Sequence, residues 1–243
     1  EVRERLLVTA GPAGERAFVG TFHQFCLDWL RRTAPGLAVV GPESRERLLK
    51  RLFPGIGAAE RNRLAEDLAD CFRHPSGEAA GTIQRYLDEL RRLQAIDLDA
   101  VIPEFVRRLK VDDALRRQVL DSLTHLFVDE FQDLNGSQFE LVRILAEACR
   151  VFAIGDPDQA IYGFRGSDPE FFFRFAAMPG VEQVFLTRNY RCPSAVIAAA
   201  AALINHNSRH NSRPGGLALV AESGRQGAIE LYSAPSTAAE AEF

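Results

Sequence analysis

Four short segments carry residue types that can do chemistry. The first is Leu126-Phe-Val-Asp-Glu-Phe-Gln-Asp133, an apolar run that ends in two adjacent carboxylates. In open α/β sheets, ligands bind beyond the carboxyl ends of the strands. Carboxylates placed there suit Mg²⁺, which takes one or two of them together with water and substrate phosphates. Neighbouring side chains at a strand end point different ways, so Asp129 can hold a metal while Glu130 orients a water. A charged strand end can equally cap the next helix, and the D-E-x-x-D pattern alone leaves both readings open.

The second segment, Gly155-Asp-Pro-Asp-Gln-Ala-Ile-Tyr-Gly-Phe-Arg-Gly166, also follows an apolar run. Asp156 would add a carboxylate. Gln159 both donates and accepts, which suits a terminal phosphate and its water. Tyr162 and Phe164 bracket a glycine ahead of Arg165, and aromatics beside an arginine can stack single-stranded bases. The alternative is that both rings pack into the core. The third segment is Leu186-Thr-Arg-Asn-Tyr-Arg-Cys-Pro193. Arg191, before a proline-started helix, can reach a transferring phosphate, and Tyr190 can stack on a purine. Taken singly, a capping asparagine and a surface arginine explain it as well. The fourth, Gly20-Thr-Phe-His-Gln-Phe25, is a turn into a helix, where Thr21, Phe22, His23 and the helix start can meet a phosphate backbone. Alone, this is weaker than the reading of His23 as a core histidine.

These segments need elements to position them. Apolar runs at 17–20, 125–128, 151–154 and 181–186 read as strands, with a further one possible at 229–232. Residues 22–32 have helical spacing, with Thr21 as the cap. From Glu43 to about Ser122 the pattern is almost wholly helical. Helices are also expected at about 137–148, 169–175 and 193–205, and loops between 205 and 227. Strands alternating with helices argue for an α/β parallel sheet. The helical block at about 25–115 reads as an insertion into it.

Composition sets the bounds. The chain has 243 residues, enough for one or two domains, with 47% hydrophobic and 26% charged residues. A net charge of -4 excludes a polybasic binder, though not a local basic groove. Cys26, Cys71, Cys149 and Cys192 form no C-x-x-C pair, so a structural zinc site is not expected and the thiols read as those of a reducing compartment. No apolar run reaches the ~18 residues of a membrane span, and no signal peptide opens the chain, so it reads as cytoplasmic. Both ends read as cut from a longer protein.

Together and in this order, the segments resemble the UvrD/Rep family of superfamily 1A DNA helicases. Val19-Gly-Thr-Phe-His23 looks like motif Ib. Ile96-Asp-Leu-Asp-Ala-Val-Ile102 looks like the family's D-F-D-D-L segment, with Leu98 and Ala100 as departures. Val128 to Asp133 matches motif II, Gly155 to Gly166 motif III, and Asn189-Tyr-Arg191 motif IV. The resemblance implies an α/β fold of P-loop NTPase type, a partial RecA-like parallel sheet. Lobe 1A would comprise residues 1–24 and 116–188, a helical 1B-like insertion 25–115, and the start of a second RecA-like lobe, 2A, 189–243.

It also implies ATP and Mg²⁺ as cofactors, single-stranded and duplex DNA as partners, and 3′→5′ translocation. Asp129 would hold Mg²⁺, with Asp156 beside it in the nucleotide site. Glu130 would be the catalytic base and Gln159 the γ-phosphate sensor. Arg191 would be the arginine finger, and Tyr190 would stack on adenine. Thr21, Phe22, His23, Tyr162, Phe164 and Arg165 would line the DNA path. A phosphate loop of the form G-x-x-x-x-G-K-[ST] is missing: the only lysines are Lys50 and Lys110, and neither follows a glycine loop. The isolated chain is therefore expected not to hydrolyse ATP. A catalytically silent helicase-like module that binds DNA or protein is the alternative. A metal nuclease built on Asp129, Glu130 and Asp156 would leave Gln159, Tyr162 and Arg191 without work.

Overall fold

The computed structural model describes residues 2–73, 81–163, 166–204, 206 and 219–242. Phe164 and Arg165, two of the expected DNA-contacting residues, lie outside that set, as does most of the expected loop at 205–227. The chain divides into two units, residues 1–155 with 160–172, and residues 156–159 with 173–243.

The first unit opens with α1 (Val2–Ala10) and α2 (Pro12–Glu15). Gly11 joins them at φ 55°, a left-handed position that costs glycine little. Residues 17–20, expected as a strand, are irregular chain with Phe18 and Val19 exposed. No described strand pairs with them, and a strand without a partner leaves its backbone groups unbonded. The helix expected next is present as α3 (Phe22–Thr33), and the Thr21 hydroxyl accepts the Gln24 N–H at 3.2 Å as its cap. Its apolar spacing turns Cys26, Trp29 and Leu30 into the interior.

The helical block follows as β1 (Ala38–Val40), α4 (Pro42–Leu52), α5 (Ala58–Arg73), α6 (Gly81–Arg92), β2 (Ala95–Asp97), α7 (Val101–Val111) and α8 (Asp113–Asp121). The helices match the expectation. The parallel β1–β2 pair, Ala38↔Ala95 to Val40↔Asp97, was not expected. Three residues are too few to display an alternating pattern. Two apolar clusters hold the block together. Leu48 and Leu49 of α4, Leu64, Leu68 and Phe72 of α5, and Tyr86 and Leu90 of α6 form one. In the other, α7 is central: Val101, Ile102, Phe105, Val106 and Leu109 pack with α3, with Leu115 and Val119 of α8, and with Leu141, Ile144 and Leu145 further along.

Those last three belong to α9 (Gly136–Leu145), which lies between β3 (His125–Val128) and β4 (Arg150–Ala153). A capping box starts α9. Asn135 accepts the Gln138 N–H at 3.0 Å, and the Gln138 side chain accepts the Asn135 N–H at 2.8 Å. Strands β3 and β4 are parallel, in register from His125↔Arg150 to Val128↔Ala153. One face is packed inward at Leu126 and Val128. The other leaves Phe127 and Phe152 mostly exposed, ring centroids 5.9 Å apart.

The helix expected near 169–175 is α10 (Glu170–Ala176). In the second unit, β5 (Arg188–Asn189) pairs in parallel with β6 (Val220–Ala221), and α11 (Ser194–Ile204) and α12 (Thr237–Glu242) complete it. Residues 181–186, expected as a strand, are irregular, with Val184 and Leu186 exposed. The pairing begins two residues later, at Arg188. Residues 229–232 are irregular too, and Leu231 is 99% exposed. Both segments have the β-type pattern but no strand to bond with among the described residues, and β-propensity reflects packing against neighbours more than backbone preference. No described helix is long and apolar enough to cross a membrane.

Candidate functional site

The parallel pairing of β3 with β4 brings the carboxyl ends of both strands to one edge. Beyond Val128 come Asp129 and Glu130, and beyond Ala153 come Ile154 and Gly155. The ladder runs on past both strands: Ile154 N–H donates to Val128 O, and Phe131 N–H to Ile154 O, each at 2.9 Å. The chain from Val128 to Phe131 is thus held by backbone hydrogen bonds to Ile154, the residue before Gly155.

Asp129 and Glu130 are both exposed. Asp129 Oδ1 accepts the Glu130 N–H at 3.0 Å. One exposed carboxylate at a strand end fits a Mg²⁺ ion shared with a nucleotide's phosphates. Among the described residues, no three His, Cys, Asp or Glu side chains stand together as a metal cage. Glu130 has left-handed backbone, φ 50° and ψ 46°, rare for a residue with a Cβ and typical of sites whose surroundings over-determine them. Its Oε2 accepts the Gln132 Nε2–H at 2.7 Å. Gln132 is 2% exposed, and sequence reasoning assigned it nothing. Asp133 closes the 3-10 turn, with a buried Oδ1 that has no hydrogen-bond partner. Burial, and then the charge of Glu130, hold its carboxyl above the ordinary range.

Thr21, Phe22 and His23 form the start of α3. No described hydrogen bond or ion pair links them to the β3–β4 edge. His23 is half-buried; burial lowers its pKa, and the charge of Asp99 opposes the shift. Asp99 belongs to a buried network that sequence reasoning missed. Asp97, fully buried, accepts from Arg45 Nε at 2.8 Å, Arg45 Nη2 at 2.5 Å and Tyr86 Oη at 2.7 Å. Arg45 Nη2 also reaches Asp99 Oδ2 at 2.6 Å. Burial alone would lower the Arg45 pKa, but Asp97 and Asp99 outweigh it and raise it. The available signal was the Ile96-Asp-Leu-Asp99 segment, whose first carboxylate proves structural. Tyr162 is 38% exposed.

In the second unit, Asp156 Oδ1 accepts the Asp158 N–H at 3.1 Å and Oδ2 the Gln159 Nε2–H at 2.9 Å. The carboxylate thus folds the Gln159 amide back over its own turn. Asn189 does not cap α11, which begins at Ser194; it closes a local turn instead, its Oδ1 accepting the N–H of Arg191 at 3.0 Å and of Cys192 at 2.7 Å. The Arg225 guanidinium donates to Arg191 O at 2.5 Å. The backbone of Arg191 is pinned, while its exposed guanidinium makes no ion pair among the described residues. Tyr190 beside it is 69% exposed.

Comparison with known proteins gives the family. Residues 57–179, just over half of the chain, match the UvrD/REP helicase N-terminal domain. The ATP-dependent DNA helicase PcrA of Staphylococcus aureus is 28% identical over the whole chain, which covers 36% of that protein. The ATP-dependent DNA helicase PcrA of Staphylococcus epidermidis is 27% identical over the same shares. The chain therefore spans about a third of the length of these curated relatives. The motif II edge lies inside the matched region, and on that match the chain belongs to the UvrD/REP helicase N-terminal domain family.

Proposed function

We propose that this chain is a segment of an ATP-dependent DNA helicase that couples ATP hydrolysis to movement along single-stranded DNA. The observation that carries the reading is the parallel β3–β4 edge, which joins Asp129 and Glu130 to Gly155. Within it, Asp129 would hold Mg²⁺, which would supply charge neutralisation to the phosphates. Glu130 accepts the proton of the attacking water. Gln159 and Asp156 serve the terminal phosphate. Arg191, with a pinned backbone and a guanidinium that makes no ion pair among the described residues, suits the charge that develops on a transferring phosphoryl group. Tyr190 stacks on the base, and Thr21, Phe22, His23, Tyr162, Phe164 and Arg165 contact the strand.

The finer architecture belongs to the same proposal. The β3–β4 pair is part of a RecA-like sheet, lobe 1A spans 1–24 and 116–188, the helical insertion 25–115, and lobe 2A begins at 189. Turnover then needs a glycine-rich lysine loop that this chain does not carry. Support comes from family membership and from intact Asp129, Glu130, Gln159 and Arg191. The test is DNA-stimulated ATP hydrolysis by the full-length protein beside its Arg191→Ala variant. Loss of about 10³-fold in kcat is expected for an arginine finger. Unchanged turnover in the variant would favour a silent binding module.

A further inference from the structure

Gln132 has no part in the proposed chemistry, yet its geometry is specific. Its side chain is buried directly behind Glu130, in the 3-10 turn Phe131–Asp133. Its amide N–H meets Oε2 of Glu130 at 2.7 Å. An exposed glutamate has freely rotating χ bonds, and a hydrogen bond from a buried amide removes much of that freedom. The other carboxylate oxygen, Oε1, stays available to a reactant. The amide's own position depends on Gly155. A Cβ at 155 would stand 2.5 Å from Gln132 Oε1, so a side chain at the end of β4 would push the amide away.

We propose that Gln132 is a positioning residue that fixes the Glu130 carboxylate against the attacking water, in space that Gly155 leaves open. The proposal rests on the reading of Glu130 as the base. In the step it serves, the water oxygen bonds to the γ-phosphorus as the bond to the β-phosphate oxygen breaks. The water's proton passes to Glu130, and ADP leaves with the electron pair. Gln132 gives up no proton.

The test uses the full-length ATPase that contains this chain, with single-stranded DNA present. Gln132→Met keeps the shape and removes the donor. Gln132→Asn keeps the amide but shortens it by one methylene, and it provides a second variant should the first fail to fold. Either variant is expected to lower kcat about 10- to 100-fold, with KM for ATP, DNA affinity and melting temperature nearly unchanged. In a Glu130→Gln background, either is expected to cause no further loss, because Gln132 acts only through that carboxylate. A merely structural role predicts instead a lowered melting temperature and losses that multiply. Multiplying losses, a change in KM alone, or wild-type kcat in a folded variant overturns the proposal while Glu130→Gln is impaired with measurable residual turnover. Full activity in Glu130→Gln overturns the base assignment and this proposal together.

Discussion

At the scale of single residues, the β3–β4 edge combines strain and close approach. Glu130 sits on left-handed backbone, and Gly155 leaves no room for a methyl group. A Cβ at Gly155 would also stand 3.0 Å from Phe131 N and 3.1 Å from Phe172 Cε2. Two of these neighbours are backbone or packed ring, which cannot yield cheaply. Gly155→Ala is therefore expected to destabilise the fold by about 1–3 kcal/mol, read by chemical denaturation; a stability equal to wild type would show that the edge is looser than described. Asp129 and Glu130 were legible in the sequence because a strand running into paired carboxylates is a local pattern. Gln132 was not. Whether its amide faces the core or the Glu130 carboxylate depends on the left-handed turn at Glu130, and no spacing rule reports that. Arg191 was legible as a candidate, but the pinning of its backbone by Arg225 is a contact across 34 residues of chain.

At the scale of elements, the helical block is organised around Asp97 rather than by apolar packing alone. Arg45 of α4, Tyr86 of α6 and the end of β2 converge on one buried carboxylate. Removing one partner of a buried pair leaves an uncompensated charge. Asp97→Ala is expected to cost about 3–5 kcal/mol, and a loss below about 1 kcal/mol in a denaturant titration would contradict the network. A second linkage joins α7 to α9. Glu140 accepts from Arg143 and Lys110, both at 2.8 Å, and the Arg143 hydrogen bond is the main reason its pKa falls to about 2. The folded pKa lies below the ordinary 4.5, so the contribution is present above pH 4.5 and is lost as pH falls towards 2. Allowing for solvent screening, it is of order 1 kcal/mol. Glu140→Gln should remove that part of the acid dependence, and an unchanged stability profile between those pH values would count against it. The helices were legible because 3.6-residue periodicity repeats over several turns. The strands at 17–20 and 181–186 were misread because β-type composition makes a strand only where a partner lies alongside.

At the scale of the whole molecule, the α/β character and the long helical block were readable from the order of periodic segments. The pairing β1–β2 was not, since three-residue strands carry no pattern. The exposed face of β3–β4, with Phe127 and Phe152 in the open, is unusual for a parallel sheet, which is ordinarily covered on both sides. The central proposal, supported by family membership and by the position of Glu130 beyond β3, is that Glu130 is the base of a DNA-driven ATPase. The most direct test is steady-state ATP hydrolysis by the full-length protein, with and without single-stranded DNA, beside Glu130→Gln. The account predicts DNA-stimulated turnover in the wild type and a loss of about 10²-fold or more in the variant. Turnover in the variant equal to wild type, or a wild type inert with DNA present, would contradict it.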